Sequence, residues 1–101
     1  MKPGMDRALR RLKALVDDDD VTAGLLVRAH GENLLLARED TGAKGEVVRD
    51  DRVRLTRLSA TRWGLSVKRH TGRWERTPFM GTIEEMVDAL RTFMQHLVAP
   101  Y

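Results

Sequence analysis

The sequence predicts an α+β domain: an antiparallel β-meander of about five strands with an N-terminal and a C-terminal helix packed on one face, in the order α-β-β-β-β-β-α. Three observations carry this. Apolar residues recur at helical spacing at both ends of the chain and at strand spacing between them. The links between the strand-like runs are short and polar or glycine-containing, too short for a crossover, so neighbouring strands run antiparallel. A chain of 101 residues has the length of one domain and of one core.

The first helix is expected at about 5–16. Met5, Leu9, Leu12, Leu15 and Val16 fall on one stripe, with Arg7, Arg10, Arg11 and Ala14 on other faces. Asp17 to Asp20 then place four carboxylates at the negative end of the helix dipole. That arrangement is repulsive by ~0.3–1 kcal/mol per nearby charge, so the helix should stop at about Val16. The four acids do not read as a calcium loop, which alternates its ligands around a glycine.

Strands at about 23–29 and 33–38 form a hairpin around Gly31 and Glu32. A two-residue loop sets Ala29 against Leu34, Val27 against Leu36 and Leu25 against Arg38 on one side. Leu26, Arg28, Leu35 and Ala37 share the other side. Helices on one face cannot cover both, so Leu26 and Leu35 are the candidate dimer interface. Residues 39–45 read as a loop. Within it Gly42-Ala43-Lys44-Gly45 has the spacing of a G-x-x-G backbone clamp, but that clamp joins two helices and this one follows a strand, so a turn is expected.

Further strands are expected at about 52–58, 62–70 and 73–77, the last two joined by a Thr71-Gly72 turn, with Pro78 ending the pairing by removing a backbone donor. The final helix, about 83–97, opens with a capping box of Thr82 and Glu85. Ile83, Met86, Val87, Leu90, Phe93, Met94 and Leu97 form its apolar stripe, and Pro100 lies past its end.

Charge is unevenly distributed. RVRLTRLSATRWGLSVKRHTGRWER, residues 52–76, holds eight Lys/Arg against one acid, leaving ten cations and fourteen acids elsewhere. Such a patch attracts polyanions or an acidic protein. Strand parity sends Trp63, Leu65, Val67 and, with a two-residue turn, Trp74 towards the helices. Arg52, Arg54, Arg62, Lys68, His70 and Arg73 gather on the other face as a candidate polyanion-binding track. In that register Lys68 meets Glu75, Arg69 and Arg76 flank Trp74, and the basic face carries no aromatic residue on which a base could stack.

The absence of cysteine excludes disulfides, thiolate metal sites and a Cys nucleophile, and makes the cytoplasm the expected compartment. No apolar run approaches the roughly 18 residues of a membrane span, and charges interrupt the N-terminal hydrophobic positions as no secretory signal allows. Among the histidines, His30-Gly31-Glu32 matches H-x-E of zinc deaminases without the cysteines that complete that site. His96 suits a helix C-terminus. Gly64-Leu65-Ser66 lacks the second glycine of a nucleophile elbow and sits inside a strand. No catalytic residue, metal or cofactor is therefore expected.

A β-meander followed by a capped helix resembles in layout the second half of a family of dimeric single-strand-binding coactivators. An α-β-α chain of this size is also similar to small secretion-chaperone-like dimers. The expectation is a non-catalytic, macromolecule-binding, dimeric protein-interaction module. The alternative is binding of single-stranded DNA or RNA through the basic sheet face.

Overall fold

The computed structural model describes residues 4–99. The order is α1 (Met5–Asp17), β1 (Leu26–His30), β2 (Asn33–Thr41), β3 (Val47–Arg57), β4 (Trp63–Lys68), β5 (Trp74–Gly81), α2 (Ile83–Phe93) and the single turn α3 (Gln95–Val98). The strands are neighbours in chain order and every pair is antiparallel. The helices cover one face of this sheet, the inner face. One core joins Met5, Leu12 and Val16 of α1 to Leu34, Leu36, Val53, Leu55, Trp63 and Leu65 of the sheet and to Ile83, Met86, Val87 and Leu90 of α2. Full burial of each such side chain stabilises the fold by about 1.5–3 kcal/mol. No helix among the described residues is long and apolar enough to cross a membrane.

Helix α1 buries Met5, Ala8, Leu12 and Val16, with Leu9 and Leu15 packed at the margins. It ends at Asp17, and its last carbonyls are satisfied by distant groups. Thr22 Oγ1 donates to Val16 O at 2.7 Å, and Arg91 donates to Leu15 O. Asp19 shapes the following turn by accepting from Val21 N at 2.8 Å, and its carboxylate lies 3.8 Å from Arg91. Asp17, Asp18 and Asp20 are exposed.

The first strand begins at Leu26 rather than 23, and Arg38 accounts for the difference. This buried inner-face guanidinium donates to Val98 O at 2.7 Å, Ala23 O at 2.7 Å and Val21 O at 3.2 Å. Carbonyls 21 and 23 are thus taken by the guanidinium instead of a ladder. Burial lowers the Arg38 pKa, and the charge of Arg52 acts in the same direction.

The capping box forms as expected, with Thr82 Oγ1 accepting from Glu85 N at 3.2 Å and Glu85 Oε1 from Thr82 N at 3.0 Å. The single helix expected over 83–97 is instead broken at Met94 (φ −130°). Gln95 Nε2 donates to Arg91 O beside the break, at 2.7 Å. The redirected turn α3 buries Val98 and presents the carbonyls of Leu97 and Val98 to Arg52 and Arg38. Phe93 is left on the surface, stacked on Phe79 with ring centroids 5.5 Å apart. Pro100 lies outside the described residues.

Strands β2 and β3 are longer than expected, pairing to Thr41↔Val47 and projecting as a ribbon beyond β1 and β4. The Gly42-Ala43-Lys44-Gly45 segment is its hairpin turn, closed by Gly42 N donating to Glu46 O at 2.7 Å. β5 does not stop at Pro78. Ser66 pairs with Arg76 and Gly64 with Met80, so Thr77, Pro78 and Phe79 stand opposite Leu65 alone. A bulge on an edge strand asks no ladder donor of proline.

Candidate functional site

Two local registers decide which side chains reach the outer, helix-free face. The first is a bulge in β3. Leu36 pairs with Val53 and Ala37 with Asp51, so Arg52 is the extra residue. The insertion reverses parity. Asp51 goes to the outer face, while Arg52 turns inward, donating to Leu97 O at 2.7 Å and to Asp50 Oδ2 at 2.7 Å. Arg52 therefore leaves the expected basic track and serves as a helix-end donor.

The second is the β4–β5 turn. Lys68 pairs with Trp74 and Val67 with Glu75. Arg69 N donates to Arg73 O and Gly72 N to Arg69 O, each at 2.8 Å, closing a three-residue loop of His70, Thr71 and Gly72. Gly72 sits at φ 86°, the left-handed position such a loop requires. One residue more in the loop than expected moves every β5 side chain to the opposite face. Trp74 is therefore on the outer face with the cations, while Trp63 alone faces the helices, 3% exposed. Glu75 moves inward and pairs with Arg69, not Lys68.

Trp74 is half-buried on this face. The Arg54 guanidinium carbon lies 4.8 Å from its ring centroid and Lys68 Nζ 5.9 Å from it. Since β4 separates β3 from β5, contact with Arg54 requires the indole to lean across β4. Ser66, the β4 residue opposite both Arg54 and Arg76, is only 4% exposed. Arg54 Nε is buried without a hydrogen-bond partner, so this guanidinium is placed by the ring face. Such contacts contribute ~0.5–2 kcal/mol according to their exposure.

Asp51, the acid nearest the bulge on this face, is already engaged. Asp51 accepts from Arg28 at 2.7 and 3.1 Å and lies 3.9 Å from Arg49. The Arg28 hydrogen bond lowers the Asp51 pKa, and more distant charges including Lys68 add to it; Arg28's own pKa is raised by the same bond. Among the described residues, no carboxylate lies within ion-pair distance of Arg54, Lys68 or Arg76.

The structure thus brings two of the six expected track residues, Arg54 and Lys68, together around Trp74. His70 and Arg73 are exposed at the adjoining turn, and Arg62 is exposed at the other end of β4, about 20 Å away at ~3.3 Å per residue. Sequence parity missed Trp74 and Arg76. The signal for them was Gly72, which suits a three-residue loop as well as a two-residue one. On the remaining outer surface, Leu26 is 41% exposed but Leu35 only 8%, between Arg28 and Arg54 on the flanking strands. Most of the expected Leu26/Leu35 patch is therefore Leu26.

A pocket of about 230 Å³ continues the outer face from Ser66 towards Arg62, lined by Thr56, Leu58, Gly64, Ser66, Arg76 and Met80. A wider groove of about 730 Å³ lies between the start of α1, the β3–β4 link and the start of α2. Two of its arginines already hold acids, Arg10 with Asp6 at 2.9 Å and Arg11 with Glu84 at 2.7 Å. His30, His70 and His96 are all exposed on separate elements, and no group of three His, Cys, Asp or Glu among the described residues is placed to hold a metal ion.

No family model, curated protein or solved structure matches the chain, so the functional reading rests on the outer face itself.

Proposed function

We propose that the protein is a non-catalytic cytoplasmic binding module whose outer sheet face engages single-stranded DNA or RNA. The observation that carries this reading is the pair Arg54 and Lys68 over the Trp74 ring, with Arg76 paired to Ser66 on the same sheet face; among the described residues none of the three cations has a carboxylate within ion-pair distance. Cations on a solvated sheet follow a phosphate backbone, and a partly exposed indole offers a surface for a base, the pairing that sequence-tolerant single-strand binders use. The test is a titration of labelled single strands across a range of salt. Affinity should fall with a log–log slope of about −0.7 per phosphate neutralised. Combined reversal of Arg54, Lys68 and Arg76 to Glu should abolish binding, and no binding by the native protein at low salt would overturn the reading.

A second reading, a homodimeric protein-interaction module, draws on Leu26. This exposed leucine sits on β1, an edge strand of the sheet. Sedimentation should then show a dimer that Leu26→Glu converts to a monomer, and a native protein that sediments as a monomer would remove it.

A further inference from the structure

The pocket beside Trp74 is built by two departures from regular sheet. Gly64 lies within β4, where it presents no side chain to the outer face, and the Thr77-Pro78-Phe79 bulge displaces β5 beside it. A strand-interior glycine marks a bulge, a bend or the close approach of a ligand or another backbone, and bulges are over-represented beside binding and active sites. Here the space is not needed by the fold. The nearest atoms that a Cβ on Gly64 would meet belong to the Leu58 side chain, the closest at 3.5 Å, an ordinary contact.

The walls combine two chemistries. Leu58 and Met80 are large apolar residues left 46% and 52% exposed at the mouth of the pocket, in the middle of a basic face. Ser66 and Arg76 contribute a hydroxyl and a guanidinium from the side nearest Trp74. At about 230 Å³ the volume falls below the roughly 300–1,000 Å³ of pockets for drug-sized ligands. That suits one flat ring with a hydrogen-bonding edge.

Resting on the single-strand reading above, we infer that this pocket takes one unstacked base of the bound strand. Met80 and Leu58 cover its faces, and Ser66 and Arg76 meet its polar edge. The neighbouring base lies against Trp74, and Arg54 and Lys68 hold phosphates. The strand therefore follows β4 from the His70 turn towards Arg62.

The test compares an ordinary homopyrimidine oligonucleotide with an abasic sugar-phosphate oligomer of equal length, in DNA and RNA forms, against native protein and Gly64→Val. Valine suits a strand and fills the pocket without changing charge. Native protein should prefer the base-bearing strand by at least about tenfold, equivalent to ~1.4 kcal/mol. In Gly64→Val that preference should shrink at least threefold while the salt slope stays the same. Met80→Ala, at an exposed position, should reduce the preference in the same direction, which keeps the test valid if Gly64→Val folds poorly by circular dichroism. Salt-dependent binding with an equal preference in native and both variants overturns the pocket and leaves the polyanion face standing. Failure of native protein to bind either oligomer overturns both.

Discussion

The Arg54 guanidinium carbon lies 4.8 Å from the Trp74 ring centroid, although the two residues belong to strands separated by β4. The contact ties the edge strand to the middle of the sheet on the side where no helix packs. It also holds an arginine that spends no hydrogen bond at Nε.

Trp74 should report strand binding directly. Trp63 is buried in the core and Trp74 is partly exposed, so an added oligonucleotide should quench or shift only part of the tryptophan emission. Trp74→Phe should abolish the change, whereas Trp74→Ala should weaken binding by ~1–3 kcal/mol, the range for one lost stacking contact. An unchanged affinity in Trp74→Ala would separate the ring from the site.

Arg52 and Arg54, two residues apart, should give opposite phenotypes. Arg52→Ala removes the donor to Leu97 O and the partner of Asp50, which should cost about 1–2 kcal/mol and lower Tm by roughly 4–8 °C for each kcal/mol lost. Its salt slope of binding should not change. Arg54→Ala should lower affinity and reduce the slope by about 0.7. Thermal melts and salt titrations on the two variants distinguish them.

Loss of Arg38 should harm the fold more than loss of an exposed arginine. Arg38→Met leaves carbonyls of Val98, Ala23 and Val21 without this donor, and each buried unsatisfied group costs ~1–3 kcal/mol. Arg38→Lys should recover little, because an ammonium cannot span three acceptors as the planar guanidinium does. Denaturant midpoints of both variants check this, and a native-like midpoint for Arg38→Lys would contradict it.

Acid should destabilise the protein through Asp51 and Glu84. Hydrogen bonds from Arg28 and Arg11 hold these carboxyls below their usual pKa values. The folded state therefore binds fewer protons than the unfolded state in that range. The stabilisation is complete above the unfolded values of about 4 and is lost as pH falls through the lower folded values. Asp51→Asn should be less stable than native at pH 7, by about 1 kcal/mol for a half-buried pair. The difference should narrow as pH drops below 4.

Much of the architecture was legible in the residues. Short links established the meander, Gly31 and Glu32 set the β1–β2 register, and Thr82 with Glu85 marked the start of α2. What was hidden lies where one residue of register matters. Parity carried through residues 49–54 cannot reveal that Arg52 is an insertion, because the bulge is defined by its partner strand. Parity sends Trp74 to the inner face because Thr71-Gly72 and His70-Thr71-Gly72 are both acceptable loops, and only the cross-strand pairing of Lys68 with Trp74 decides between them. The strand ends at Glu39–Thr41 and Val47–Asp50 were obscured by charge, since a ribbon exposed on both sides has no need of apolar alternation. The helix break at Met94 leaves the apolar spacing of the sequence unbroken, and the donors that receive the redirected turn, Arg38 and Arg52, sit far away on β2 and β3.

The proline-containing bulge of β5 makes the two borders of the sheet unequal. On β5, Pro78 withholds an amide and three residues stand out of ladder geometry, so an incoming strand finds no continuous row of donors and acceptors there. The β1 border has neither obstacle. Strand addition is thus confined to one side, and two copies meeting through β1 would form a closed, two-fold ten-stranded sheet with both outer borders blocked. The same proline that interrupts the ladder protects the fold against open-ended, fibre-like growth.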